Sequence, residues 1–253
     1  SYPRLTEFAA WRPQHTWKEW WAGNRHYCEE TDPLASGGYY TKDQLKDLIE
    51  YARQRHIEII PEIEMPGHSE EVLDAYPELS CTGEPYTQGE FCPGNEQTFR
   101  FLETVLDEVM DVFPSEYIHI GGDEANKEHW KKCPKCQQRM QDEGLADVDE
   151  LQSYMIKRMA RYVESKGRKV IGWDEILDGG LAEGAAVMSW RGTEGGIKAM
   201  EMGHDVIMTP GRYCYLDHAQ DAPFKEPESI GGYLPLDSVY VYEPVEASMP
   251  ADK

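Results

Sequence analysis

Apolar positions along the chain alternate between two spacings. Residues 41–56, TKDQLKDLIEYARQRH, place Leu45, Leu48, Ile49 and Ala52 three and four apart behind Thr41, which predicts a helix with a side-chain cap. Residues 57–64, IEIIPEIE, are short and rich in β-branched side chains, which predicts a strand. The alternation then repeats. Residues 96–112 carry Phe99, Leu102, Val105, Leu106 and Val109 on one helical stripe, and residues 117–120 read as a strand ending at Gly121-Gly122. Residues 147–166 carry Leu151, Tyr154, Met155, Met159, Tyr162 and Val163 on a second stripe, with Gly167 as its stop. Residues 169–173 and 186–190 read as strands, 193–202 as a short helix stopped by Gly203, and 205–209 as a strand stopped by Pro210. Strands alternating with helices predict βα units on a parallel sheet, in one domain over 1–253. Two stretches of that domain differ. Residues 1–40 hold Trp11, Trp17, Trp20 and Trp21 and a Gly37-Gly38 turn, and 210–253 is rich in Pro, Gly and Tyr with no clear helix. Long loops inside a compact domain tend to carry function.

Composition narrows the class. Asp and Glu number 47 against 25 Lys and Arg, a net charge of −22 over 253 residues. That argues against a nucleic-acid partner, which needs Lys/Arg surfaces for phosphates, and against docking on anionic membranes. No apolar run approaches the roughly 20 residues of a membrane span. The chain has no GxxxxGK[ST], GxGxxG or HExxH, so nucleotide binding and that kind of zinc site are not indicated. The 7 Trp and 15 Tyr suit the faces of sugar rings as well as a core. The six cysteines, Cys28, Cys81, Cys92, Cys133, Cys136 and Cys214, leave three options open. Cys81 and Cys92 bracket a Gly/Pro-rich loop that a disulfide would pin. Cys133-Pro-Lys-Cys136 with His129 could hold zinc, although a local disulfide or free thiols fit a lone CxxC better.

The chemistry gathers where the strands end. The first is followed by Glu62, Glu64 and Pro66-Gly67-His68, the second by Gly121-Gly-Asp-Glu124, the third by Trp173-Asp-Glu175, the fourth by Trp190-Arg-Gly192, and the fifth by Tyr213-Cys-Tyr-Leu-Asp217. In a parallel α/β barrel those ends form one face, and active sites are built there. Acids with aromatic walls and no phosphate cradle point to sugar chemistry. Glycoside hydrolysis needs one carboxylic acid to protonate the leaving oxygen and a second group to meet the cation at the anomeric carbon. In the adjacent pair Asp123-Glu124, ionisation of one raises the proton affinity of the other. Neighbours on a strand point to opposite faces, so both can face one site only if the strand has ended by then, as Gly121-Gly122 allows. From these residues alone three further readings stay open: a two-carboxylate retaining glycosidase with Glu64 or Glu175 as nucleophile, a non-catalytic carbohydrate-binding module, and a metal site from His119, Asp123, Glu128 and His129.

His119-Ile-Gly-Gly-Asp-Glu124 resembles the signature of the β-N-acetylhexosaminidases, family 20 of the glycoside hydrolases. Glu62-Ile-Glu-Met-Pro-Gly-His68, Trp173-Asp-Glu, Trp190-Arg-Gly and Tyr215-Leu-Asp217 follow in that family's order, so the resemblance covers essentially the whole chain. It implies a (β/α)8 TIM-barrel fold and substrate-assisted retaining catalysis, in which the substrate's 2-acetamido oxygen closes an oxazolinium ring. It implies that Glu124 is the general acid and then base, that Asp123 holds the acetamido N–H, and that Tyr215 donates to the acetamido oxygen. Trp173 and Trp190 would wall the acetamido pocket, Asp217 would bind sugar hydroxyls, and His68 would tune Glu124. The implied partner is a glycan ending in β-linked N-acetylhexosamine, with no metal or other cofactor.

The chain departs from the family in what it lacks. Only five of eight strands are countable, with strands 1, 2 and 8 missing, so an incomplete barrel is expected, inactive or nearly so by itself. The cysteines and the glycan substrate imply an exported bacterial protein, periplasmic or secreted, although no signal peptide is present in the sequence.

Overall fold

The computed structural model describes residues 1–13, 16–227, 229, 231–245 and 249. The Trp17 side chain and the far end of the loop-rich stretch, 246–248 and 250–253, lie outside the described residues. A hairpin opens the chain, with β1 (Trp11–Pro13) antiparallel to β2 (Ala35–Gly37). It lies within the stretch expected to be loop, and Gly37 sits in β2 rather than in a turn. A Cβ on Gly37 would collide with the Ala10 carbonyl, so the close pairing there requires glycine. The main sheet is parallel, with β3 (Tyr117–His119), β4 (Lys169–Trp173), β5 (Ala186–Ser189) and β6 (Val206–Met208) side by side in chain order.

The helices cover this sheet much as their spacing predicts. Lys42–Arg53 begins in a capping box: the Thr41 side chain accepts from Gln44 N at 3.2 Å, and the Gln44 side chain accepts from Thr41 N at 2.8 Å. Glu96–Val112 matches its predicted span and buries Phe99, Leu102 and Leu106. Val148–Ser165 is capped by Asp147, which accepts from both Asp149 N and Glu150 N at 2.9 Å. Its buried stripe includes Ile156 and Ala160, whereas Tyr162 stays half-buried at the margin. Gly167 follows at φ 76°, the left-handed stop that its position predicts. Ile118, Ile120, Val170 and Val187 from the sheet pack with Met155, Met159, Phe99 and Leu102 in one core.

The expected strand at 57–64 forms only in part. Its single pairing is a parallel bridge between Glu62 and His119. The backbone still runs beside β3, with Ile63 N donating to His119 O at 2.9 Å and His119 N to Pro61 O at 2.9 Å. Pro61 has no N–H to offer, so the ladder cannot extend past it. Ile57 and Ile60, ahead of it, are exposed. The sequence pattern also misses the helices Glu70–Ala75 and Pro134–Glu143, and two short helices, Gly211–Cys214 and Leu236–Tyr240, in the stretch read as loop. Among the described residues no helix is long and apolar enough to cross a membrane.

Candidate active site

Release of the chain from β3 is what builds the site. The strand ends at His119, and Gly121 and Gly122 take φ 68° and 109°. Glu124 is itself left-handed at φ 49°, as is His68 at φ 45°, an uncommon conformation for non-glycine residues. The strand alternation is thereby broken, and Asp123 and Glu124 turn to the same side. His68 Nε2 lies 3.3 Å from Asp123 Oδ2 and 3.2 Å from Glu124 Oε2. The two acids differ in setting: the Asp123 side chain is 16% exposed and that of Glu124 is 56%. Among the described residues, Asp123 Oδ1 is buried with no hydrogen-bond partner.

The glycine pair also receives a half-buried acid. Gly122 N donates to Glu64 Oε1 at 2.9 Å, and a Cβ on Gly121 would overlap the Glu64 carboxyl. Burial pushes Glu64 up to about 9; the Gly122 N–H opposes the shift and the charge of Asp123 adds to it. Burial also raises Asp123, with His68 opposing. The fold therefore holds a proton on Glu64 that an unfolded chain would release. Through this group, stability is fully present below the unfolded value, near 4.5, and is lost as pH rises through about 9. Glu64→Gln keeps an oxygen for Gly122 N and removes the titration. Thermal melting of both forms between about pH 5 and 9 should show a shallower decline for the variant. Equal declines would mean that Glu64 is ionised in the fold.

The aromatic residues at the strand ends are fixed by acids. Trp173 Nε1 donates to Glu62 Oε1 at 2.9 Å, and its ring lies 4.8 Å from that of His119. Trp190 Nε1 donates to Glu175 Oε2 at 3.0 Å, and its ring runs nearly parallel to that of Tyr215, 6.1 Å away. Arg191 Nε bonds Asp174 Oδ1 at 3.2 Å and lies 3.7 Å from Glu175, which ties the ends of β4 and β5 together. Asp174 is raised to about 6 by burial and by its neighbour Glu175. Burial raises the Tyr215 phenol, with the charges of Asp123, Asp217, Glu124 and Glu175 adding to it, so it stays a donor near neutral pH. Asp217 is exposed beside it. A cavity of about 590 Å³ opens beside Glu124, lined by His68, Glu124, Trp20, Trp21, Tyr86 and His129 among others.

The structure thus brings His68, Asp123 and Glu124 into contact and sets Trp190 against Tyr215. Tyr215 links the two groups through the charges it feels, while Trp173 is held at the next strand end by Glu62. The sequence reading passed over the supporting acids. The sequence names Glu62, Glu64, Asp174 and Glu175 as strand-end and motif residues, with Glu64 and Glu175 also as possible nucleophiles, but not as supports for the tryptophans and the glycine pair. Only Asp174 and Glu175, directly after Trp173, carried a local signal; Glu62 and Glu64 reach Trp173 and Gly122 from 111 and 58 positions away. Two metal readings are corrected. His119, Asp123, Glu128 and His129 do not converge: Glu128 pairs with Lys131, His129 Nδ1 with Glu90 at 2.9 Å, and His119 lies against Trp173. His129 is likewise no partner of Cys133 and Cys136. Those two thiols gather with Cys81 and Cys92, within 4.8 Å of one another.

A parallel βα sheet with carboxyl groups and tryptophans along the carboxyl ends of its strands is part of a barrel of the TIM type. Residues 1–253 match the model of glycosyl hydrolase family 20, catalytic domain, and the chain belongs to that family. It is 48% identical over 262 residues to a β-hexosaminidase of Porphyromonas gingivalis, covering 100% of this chain and 32% of that protein. It is 35% identical to a β-hexosaminidase of Vibrio furnissii, covering 97% of this chain and 41% of that one. Among solved structures it resembles the Vibrio harveyi exo-β-N-acetylglucosaminidase in complex with N-acetylglucosamine, with TM-score 0.82 and 31% identity, covering 100% of this chain and 40% of that one. A β-N-acetylhexosaminidase from Bacteroides fragilis gives TM-score 0.73 and 35% identity, covering 82% and 43%. The chain therefore spans between about a third and two fifths of the first two curated relatives.

Proposed function

We propose that the intact polypeptide carrying residues 1–253 hydrolyses terminal β-linked N-acetylhexosamine with retention, using the substrate's own acetamido oxygen as nucleophile. The observation that carries this reading is the pair of consecutive acids facing one histidine, one sheltered and one exposed. Glu124, on the cavity side, donates its proton to the leaving glycosidic oxygen and later takes one from the incoming water. Asp123, sheltered between Glu64 and His68, accepts the acetamido N–H and steadies the charge that builds on the group as the ring closes. Tyr215, kept protonated, donates to the acetamido oxygen and holds it near the anomeric carbon. Trp173 and Trp190 wall the pocket, Asp217 receives hydroxyls, and His68 sets the orientation of both acids. A leaving group must lie on the side of the general acid, so the cavity beside Glu124 takes the rest of the glycan.

The two-carboxylate reading has less support. Glu64 is half-buried, raised to about 9 by burial and bound to Gly122 N, and Glu175 is occupied by Trp190 and Arg191. Among the described residues, four parallel strands and the bridge from Glu62 to His119 do not close a barrel, so residues 1–253 by themselves should turn over little substrate. The intact polypeptide should release the chromophore from an aryl β-N-acetylglucosaminide or β-N-acetylgalactosaminide at an ordinary glycosidase rate. Release from neither would overturn the assignment.

A further inference from the structure

We infer that Cys81, Cys92, Cys133 and Cys136 form a structural zinc site that clips the loop carrying Glu124 to the wall of the neighbouring cavity. The four sulfurs all lie within 4.8 Å of one another. Cys81 and Cys136 approach to 3.7 Å, Cys92 and Cys133 to 3.7 Å, and Cys92 and Cys136 to 3.6 Å. A tetrahedral ion with Zn–S bonds of about 2.3 Å sets its sulfurs about 3.8 Å apart. The contacts do not divide the four into isolated pairs, since Cys92 touches two partners and Cys136 touches two. They form one compact group, as a single ion requires and a larger metal–sulfur cluster does not. Cys92, Cys133 and Cys136 are buried, and the group is walled by Trp130 and Leu151, so water is kept from it.

The surrounding backbone is built to hold this geometry. Cys133 stands at the N-cap position of the helix Pro134–Glu143 and Cys136 in its first turn, so the helix start sets the spacing of the two sulfurs. Cys92 N donates to Leu79 O at 2.9 Å, and Cys81 N to Gln88 Oε1 at 3.1 Å. Gly94 lets the Cys92 turn press against the backbone of Lys135 and Cys136, where any Cβ would collide. Trp130 Nε1 closes the same contact by donating to Phe91 O at 2.9 Å. As zinc binds, the four thiols give up their protons to solvent, leaving a centre with two net negative charges.

The placement gives the ion a task. Cys133 follows Glu124 by nine residues, while Cys81 and Cys92 bracket the loop whose Gln88, Gly89 and Glu90 line the cavity. The ion would join those two segments at a point away from the chemistry. The intact polypeptide, purified without chelator, should contain about one zinc per chain, released as its thiols are titrated with an organomercurial. Cys136→Ser should lose the bound zinc, and Cys28→Ser should keep it. Cobalt needs no variant: the wild-type polypeptide refolded with Co²⁺ should show the intense visible bands of a tetrahedral tetrathiolate. Four free thiols with no zinc, an intact mass short by the hydrogens of two disulfides, or zinc that persists in Cys136→Ser would each overturn the site. Turnover enters none of these readouts, so they stand apart from the hydrolase assignment.

Discussion

Replacing the 2-acetamido group of an aryl β-N-acetylhexosaminide by a hydroxyl should lower kcat/KM of the intact polypeptide by roughly 10⁵-fold. The loss is this large because the acetamido oxygen is the proposed nucleophile, and holding it beside the anomeric carbon turns a bimolecular attack into an intramolecular one. Nothing in the described site replaces it. Glu64 retains its proton against Gly122 and Asp123, and an uncharged carboxyl is a poor nucleophile. Glu175 is held by the Trp190 indole at 3.0 Å and by Arg191. Asp123 and Tyr215 would lose their polar partners at the same time, leaving a buried acceptor and donor unmatched, which adds to the penalty. Measuring kcat/KM for matched acetamido and hydroxyl substrates with the same leaving group reads the effect directly. Comparable rates on both would point to a two-carboxylate mechanism and remove the roles given to Asp123 and Tyr215.

Glu124→Gln should lower kcat/KM about 100- to 10,000-fold on a natural glycan, the range of general acid–base catalysis. The loss should be smaller with an activated aryl leaving group, which departs without a proton. The amide matches the carboxyl in shape and keeps the contact with His68, so affinity for N-acetylhexosamine, read by calorimetry, should be retained. Loss of turnover with retained binding assigns Glu124 to proton transfer. Unchanged turnover on both substrates would place the acid elsewhere.

The chain's own pattern carried a good deal of this. Apolar spacing located the helices at 96–112 and 147–166 within a residue or so, because each buries a continuous stripe and has a recognisable end, Asn95 or Asp147 at the start and Gly167 past the finish. It placed the strand ends at Gly121 and Trp173, where β3 ends two residues earlier at His119 and β4 at Trp173, and with them the acids and tryptophans. It overestimated 57–64, where Pro61 breaks a ladder that β-branched residues would otherwise continue. It missed the hairpin of β1 and β2, whose three-residue strands are too short to show a period. It also missed Pro134–Glu143, a strongly polar helix with one buried residue, Cys136.

What the sequence determined by itself is the order of βα units and the kinds of side chain at each strand end, because both follow from local period and from the residues that stop an element. Tertiary structure decided which of those side chains meet. Glu64 and Gly122 lie 58 positions apart, Trp173 and Glu62 111 apart, and Cys81 and Cys136 55 apart. No local pattern encodes such distances. They arise when neighbouring strands align their carboxyl ends, and only then does burial raise Glu64 and Asp123 and bring four scattered thiols within reach of one ion.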